Sequence, residues 1–114
     1  MEEEIFGPIF PIITYNNLNE TLYKIKSMPK PLAFYLFTNS QRTAEKVMYN
    51  MEFGNGMVND TLLMVSNPNL AFGGVGQSGQ GSYHGYHSFM NFSNKKSIME
   101  RPASFDVGIK YPPY

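Results

Sequence analysis

The chain contains no cysteine among its 114 residues. Disulfides, thiolate metal sites and a cysteine nucleophile supplied by this chain are therefore excluded. Lys and Arg together number nine, as do Asp and Glu, so the formal net charge is zero. A neutral chain with scattered basic residues lacks the electrostatic footprint that attracts nucleic acids and anionic membranes. We therefore expect no nucleic-acid partner and no membrane-surface partner.

Long apolar runs are also missing from the sequence. No run approaches the roughly 18 residues that a membrane-spanning helix needs. The acidic residues at positions 2–4 are the opposite of the basic start of a secretion signal. We expect a soluble cytoplasmic protein without a membrane anchor, of a length that suits one domain.

Three stretches in the first half of the chain have the composition of β-strands. Residues 9–15 are rich in β-branched and aromatic side chains, although Pro11 lacks a donor and argues for an edge position. Residues 32–37 form a continuous apolar run, which is typical of a strand covered on both faces. A third strand is predicted from Met57, leading into Asn59.

Two stretches with helical spacing separate these strands. The first starts after Asn17, has Glu20 at the spacing of a capping box, and ends before Pro29. The second starts after Asn39 or Ser40. Its predicted buried face consists of Ala44, Val47, Met48 and Met51. The order predicts an α/β fold with a parallel sheet built from βαβαβ units, whose sites lie at the carboxyl ends of the strands.

The remainder of the chain predicts less regular structure. Residues 83–94 favour a short helix or turn, residues 95–101 a further strand, and residues 102–114 an extended arm. Three strands with two helices leave the central strand incompletely covered. The sequence therefore indicates an incomplete unit, which either oligomerises or belongs to a larger domain.

The glycine-rich stretch, residues 70–85, is the most unusual part of the chain. Gly74, Gly76 and Gly79 spell G-x-G-x-x-G, but no strand directly precedes them and no helix opens at their end, as a dinucleotide site requires. A tight turn that allows close packing is the favoured interpretation. An independent nucleotide binder is the last of the alternatives.

Other patterns carry little chemistry. His84 and His87 have H-x-x-H spacing but no third ligand nearby, so we expect no metal site. No serine lies in a G-x-S-x-G elbow. Glu2 and Glu3 are interpreted as part of a solvated face.

Several separated motifs resemble the aldehyde dehydrogenase superfamily. Residues 3–8, E-E-I-F-G-P, are similar to one family motif, and Asn59 with the later F-G-G-x-x-x-S-G at residues 72–79 is similar to another. Residues 29–33, 83–85 and 110–113 resemble the class 3 branch, which includes the fatty aldehyde dehydrogenases. The resemblance implies the carboxyl-terminal part of the catalytic domain in residues 1–93, and an oligomerisation strand and arm in residues 94–114.

The resemblance also implies roles for individual residues. Glu4 would accept a hydrogen bond from the nicotinamide ribose of NAD or NADP, and Phe6 would pack near the nicotinamide. Phe72 would line the aldehyde pocket and Asn59 would support it. Two residues beside the same pocket differ from the class 3 pattern. Met64 stands where that pattern has histidine, and Ala71 stands where it usually has proline.

The family mechanism uses a cysteine thiolate that attacks the aldehyde and forms a thioester. This nucleophile lies upstream of E-E-I-F-G-P in the family, and the present chain has no cysteine. We therefore predict a fragment of an NAD(P)-dependent enzyme that oxidises aldehydes to carboxylic acids, inactive alone and part of a homodimer. The alternative is a non-catalytic interaction module that pairs with a partner through residues 95–101.

Overall fold

Four α-helices and two β-strands occur in residues 4–113, the part of the chain that the computed structural model describes. The helices are α1 (Leu18–Lys26), α2 (Gln41–Asn50), α3 (Leu63–Ser66) and α4 (Gly85–Asn91). The strands are β1 (Ala33–Leu36) and β2 (Asn55–Val58), and short 3₁₀ turns occupy Gly76–Ser78 and Gly108–Lys110. Glu2 and Glu3 lie outside the described residues.

Helix α1 begins at the predicted cap. The Asn17 side-chain oxygen accepts hydrogen bonds from the N–H groups of Asn19 (2.9 Å) and Glu20 (3.4 Å). Asn17 Nδ2 in turn donates to Glu20 Oε1 at 3.0 Å, so the two side chains interact directly. These contacts satisfy donors that a helix leaves unpaired in its first turn. The helix ends at Lys26, ahead of Pro29 as expected.

The strands β1 and β2 form a parallel pair with α2 as the crossover. Their register runs from Ala33 opposite Asn55 to Leu36 opposite Val58. Ser40 Oγ caps α2 by accepting from the Thr43 N–H at 3.2 Å. Val47 of α2 is completely buried. This single βαβ unit confirms the α/β class and the parallel sheet.

The strand predicted over residues 9–15 does not form, so the βαβαβ order was wrong in its first strand. Its side chains are largely exposed, with Phe10 87% and Ile13 83% accessible. A strand needs a hydrogen-bonded neighbour, and the sheet in the described residues has only β1 and β2. Pro11 further removes one donor.

Residues 95–101 also contain no strand, contrary to the prediction. Ile98 and Met99 are 71% and 94% exposed, and no neighbouring strand reaches this segment within residues 4–113. The predicted short helix between residues 83 and 94 is confirmed as α4.

The hydrophobic core is small and the molecule is elongated. Among the described residues, the buried apolar side chains are Ala44, Val47, Met51 and Met64. The principal extents are 72 × 33 × 32 Å and the radius of gyration is 22.7 Å, whereas a compact domain of this length has about 13 Å. None of the helices in residues 4–113 is long and apolar enough to cross a membrane.

Candidate functional site

Phe72 and Tyr83 close the glycine loop, which we define as residues 73–82. The Phe72 N–H donates to the Tyr83 carbonyl at 3.0 Å, and the Tyr83 N–H donates to the Phe72 carbonyl at 2.9 Å. The Phe72 ring meets the Tyr83 ring edge-on at 5.9 Å and stacks with the His84 ring at 5.8 Å. The resulting loop is anchored at both ends by one antiparallel bridge and an aromatic cluster.

Asn55 attaches this loop to the amino-terminal end of the sheet. Its Nδ2 donates to the carbonyls of Leu32 (2.9 Å) and Gly73 (3.0 Å). Its Oδ1 accepts from the Gly73 N–H at 3.3 Å. The side chain is buried, with Asn55 8% exposed. One amide therefore satisfies both backbone groups of Gly73, as a neighbouring strand would.

Close backbone packing makes this attachment possible. A Cβ on Gly54 would collide with the Gly73 carbonyl oxygen and stand 2.8 Å from that of Leu32. Real Cβ atoms do not approach backbone atoms so closely, so only glycine fits. The loop and the start of β2 are thus in direct backbone contact.

The G-x-G-x-x-G glycines shape the loop rather than open a helix. The segment from Gly76 forms one 3₁₀ turn, and Gly79 has a φ of +148°. Ser78 Oγ both accepts from the Val75 N–H and donates to the Val75 carbonyl, each at 2.9 Å. A helix N-terminus that could hold a phosphate is not formed here. The tight-turn interpretation fits this geometry.

A cleft of about 350 Å³ lies beside the glycine loop. Its lining includes Leu32, Phe72, Gly73, Tyr83 and Asn91. This volume is within the range of small-molecule sites in proteins, roughly 300–1,000 Å³. Phe72 is half-buried, so part of its ring is available to a molecule in the cleft.

Asn59 occupies the opposite, carboxyl-terminal end of β2. The Thr38 N–H donates to Asn59 Oδ1 at 2.8 Å, and Asn59 Nδ2 donates to the Thr38 carbonyl at 2.9 Å. Its own N–H donates to the Leu36 carbonyl at 2.8 Å, and its φ is +60°. Asn59 thereby joins the carboxyl ends of both strands, at the edge where parallel sheets carry their sites.

Met64 belongs to α3, which packs against β2, and it is 7% exposed. The three predicted pocket residues therefore do not form one cluster, and among them only Phe72 lines the cleft. Asn59 is at one end, and Gly73, next to Phe72, is bonded to Asn55 at the other. The four-residue strand between them spans roughly 13 Å.

Glu4 and Phe6 lie in the segment before α1, which has no helix or strand in its described part. The Phe6 ring is 90% exposed and the residue has a φ of +48°. Glu4 is also exposed. Both side chains are accessible to a ligand, and neither is part of the glycine-loop cleft.

The two histidines have different surroundings. His84 is half-buried with a φ of +86°, and its Nδ1 has no hydrogen-bond partner. Its backbone N–H donates to Ser88 Oγ at 2.8 Å, while His87 is exposed. Residues 4–113 hold no group of three or more His, Cys, Asp or Glu side chains that could bind a metal ion.

The charged contacts of the structure are exposed and lie outside the cleft. Lys30 forms an ion pair with Glu52, and its hydrogen bond and positive charge lower the pKa of Glu52. The Tyr111 hydroxyl donates to Asp106 Oδ2 at 2.6 Å, which lowers the pKa of Asp106 and raises that of Tyr111. The first contact links the segment after α1 to the segment after α2, and the second lies within the carboxyl-terminal segment.

Sequence reasoning missed Asn55. The available signal was an asparagine directly after Gly54, in a stretch that then continues as a strand. Asparagine is depleted in strands, so its presence at a strand start points to a side-chain role. Its partner Gly73 is 18 residues away, which local patterns do not reveal.

Comparisons with known proteins agree with the family resemblance. Residues 1–98 match the model of the aldehyde dehydrogenase family. The whole chain is 46% identical to 4,4'-diaponeurosporen-aldehyde dehydrogenase of Staphylococcus aureus, covering 25% of it. It is 50% identical to an aldehyde dehydrogenase of Craterostigma plantagineum, covering 24%.

A solved structure is similar over the same extent. The substrate-bound state of Staphylococcus aureus AldH matches with a TM-score of 0.86 and 46% identity, over 100% of this chain and 25% of that one. The chain therefore spans about a quarter of the length of these relatives.

Proposed function

Because this chain belongs to the aldehyde dehydrogenase family, we propose that it is the carboxyl-terminal part of an enzyme that oxidises aldehydes to carboxylic acids with NAD or NADP. The observation that carries this proposal is the match of the entire chain to a quarter of an aldehyde dehydrogenase structure, at a TM-score of 0.86. Identity of 46% over that length supports the same chemistry as well as the same fold.

The chain would contribute two residues to cofactor binding. The exposed Glu4 carboxylate is an acceptor suited to ribose hydroxyls, and the exposed Phe6 ring can lie against a flat nicotinamide. These side chains fit the cofactor chemically, while most of its binding site would lie outside this chain. When bound, the cofactor accepts the hydride that leaves the aldehyde carbon.

The chain would also supply one wall of the aldehyde pocket. Phe72 is the proposed lining residue, which is supported by its half-buried ring beside the cleft. Asn59 would support the site by joining the carboxyl ends of β1 and β2. Met64 would act through packing, since it is the buried residue of α3.

The nucleophile would lie in the part of the enzyme that this chain does not contain. A thioester mechanism needs a cysteine thiolate, and the chain has none. We therefore propose that the chain alone is inactive. The parent enzyme would be a cytoplasmic homodimer.

A second candidate is a non-catalytic interaction module. The observation in its favour is the exposed segment 95–101, whose Ile98 and Met99 are 71% and 94% accessible. Such a segment can add as a strand to the sheet edge of a partner. The same surface would serve the homodimer of the parent enzyme, in which residues 94–114 would form the oligomerisation strand and arm.

A chimera tests the enzymatic proposal. The chain would replace the corresponding quarter of the Staphylococcus aureus dehydrogenase, and reduction of NAD and NADP would be followed with hexanal. We expect turnover by the chimera and none by the chain alone. Activity of the pure chain would refute the external nucleophile. A chimera that melts cooperatively but does not oxidise hexanal would refute the proposed activity.

Two variants of the chimera separate the pocket from the surface. Phe72→Ala should raise the hexanal KM, whereas Phe92→Ala, at a residue 94% exposed, should not. For the interaction module, the isolated chain should instead be monodisperse and unfold in one cooperative transition.

A further inference from the structure

We propose that Asn55 is a positioning residue for aldehyde binding, which places the Phe72 ring by holding the backbone of Gly73. The inference rests on the proposed function, because it assigns Asn55 a task in the pocket that Phe72 would line. Asn55 itself would not touch the substrate. It would act through the two peptide units that flank Gly73, the first of which joins Phe72 to Gly73.

The geometry leaves Gly73 little freedom. Both polar backbone groups of Gly73 bind the Asn55 amide, at 3.0 Å and 3.3 Å, and the same amide is fixed to the Leu32 carbonyl at 2.9 Å. An amide offers a donor and an acceptor at once. Aspartate keeps the shape but has no donor when it is ionised, and leucine has neither group.

Phe72 is fixed from two sides as a result. On one side its own backbone pairs with Tyr83, and on the other side the next residue is bonded to Asn55. Its ring is only half-buried and packs on Tyr83 and His84, which are outside the core around Val47. The ring is therefore placed by the backbone that carries it together with these two neighbouring rings, and the Asn55 amide holds that backbone.

The proposal predicts a selective kinetic defect. In the chimera, Asn55→Asp should raise the hexanal KM about tenfold and change the NAD KM less than twofold. The selectivity follows because the proposed cofactor residues Glu4 and Phe6 lie in a different segment, which makes no hydrogen bond to Asn55 in the described residues. An equal rise in both KM values would overturn the positioning role.

Protonation offers a rescue of the Asn55→Asp variant. A protonated carboxyl has one donor and one acceptor, so it can restore one of the two donor bonds of the Asn55 amide as well as its acceptor bond. Burial favours this neutral form. The ratio of the variant's hexanal KM to that of the parent chimera should therefore fall as the pH is lowered. A constant ratio from pH 8 to pH 5 would contradict the hydrogen-bonding role.

The matched control is Asn67→Asp. Asn67 is exposed, and its side-chain oxygen accepts from the Asn69 N–H at 3.0 Å, a contact that aspartate preserves. This variant should retain both KM values of the parent chimera. The two hydrogen bonds between the Asn55 amide and Gly73 form what we call the Asn55 clamp. A tenfold rise in the hexanal KM of the Asn67→Asp variant would show that the added charge, and not the loss of this clamp, causes the defect.

A double-mutant cycle with Phe72→Leu separates positioning from general structure. If Asn55 acts through Phe72, Asn55→Asp should change the hexanal KM less than twofold in the Phe72→Leu background. Additive effects would overturn the proposal. Should the Asn55→Asp chimera fail to fold, Asn55→Ser provides the same cycle with a smaller side chain.

The exchange of the Gly73 amide in the 114-residue chain is a test without catalysis. Asn55→Asp keeps an acceptor for the Gly73 N–H but sets an ionised oxygen against the Leu32 and Gly73 carbonyl oxygens. This repulsion should open the contact and make the Gly73 amide exchange at least tenfold faster, while Asn67→Asp leaves it unchanged. If the parent chimera is inactive but Asn55→Asp speeds the exchange of the Gly73 amide, the proposed function is refuted and the Asn55 clamp is retained. If the parent chimera is active but Asn55→Asp leaves the exchange of the Gly73 amide unchanged, only the Asn55 clamp is refuted.

Discussion

Replacing Gly54 with alanine tests the close approach between the glycine loop and the sheet. The new Cβ would meet the carbonyl oxygens of Gly73 and Leu32 and lie 3.0 Å from Gly74 Cα. All three neighbours are backbone atoms, so no side chain can turn away. The loop must move off the sheet, and the Asn55 hydrogen bonds to Gly73 break with it.

The expected cost combines two terms. Overpacking of this kind costs about 1–3 kcal/mol, and each of the two broken hydrogen bonds contributes about 1 kcal/mol. At 1.4 kcal/mol per factor of ten, a total of about 3–5 kcal/mol corresponds to loop opening that is at least a hundredfold more frequent. Exchange of the Gly73 amide, measured by NMR in the 114-residue chain, reports that opening directly.

Gly108→Ala is the matched control. Gly108 begins an exposed 3₁₀ turn, and a Cβ there would have no atom within 4 Å. Alanine reduces the freedom of the unfolded chain, which should stabilise this turn by about 0.4–1 kcal/mol. Gly54→Ala should thus lower the free energy of local unfolding, and Gly108→Ala should raise it. Equal Gly73 exchange in both variants would refute the packing described here.

Two further predictions concern the core and the carboxyl-terminal turn. Val47→Ala removes two methyl-sized groups from a completely buried site and should destabilise α2 by about 2 kcal/mol. Its control is Tyr49→Ala, at a 91% exposed residue, which should change the stability of α2 by no more than about 0.5 kcal/mol. Amide exchange in α2 measures both effects. The lowered pKa of Asp106 means that its stabilising effect exists above its usual pKa of 3.8 and is lost as the pH falls through the lowered value. The raised pKa of Tyr111 means that its effect exists below its usual 10.0 and is lost as the pH rises through the raised value. NMR of the Tyr111 ring should therefore show the most order between about pH 4 and pH 10, and a profile unchanged by Asp106→Asn would contradict this account.

Local signals in the sequence identified the elements that depend on local interactions. The cap at Asn17, the stop near Pro29 and the buried face of α2 all follow from side chains within a few residues of one another. The apolar run 32–37 likewise became β1, because β2 pairs with it after one crossover.

The segments that failed as strands depend on partners that their own sequence does not specify. Residues 9–15 have strand composition, but the described part of the chain offers them no neighbour. Composition gives a preference, whereas a strand requires pairing. The same reasoning applies to residues 95–101.

The candidate site was predicted as residue types but not as an arrangement. Asn59 was expected to support a site, and its pairing with Thr38 depends on a residue 21 positions away. The clamp of Asn55 on Gly73 also joins distant parts of the chain. The roles of Glu4, Phe6, Phe72, Asn59 and Met64 in binding stay predictions.

The elongated shape has a practical consequence for counting subunits. A compact globule with a radius of gyration of 22.7 Å would contain roughly 450 residues, about four times the length of this chain. On a size-exclusion column, a single extended copy would therefore elute early, at a volume that calibration with globular standards assigns to an oligomer. Light scattering measures the molar mass of the particle rather than its hydrodynamic size, so it distinguishes an elongated monomer from a dimer.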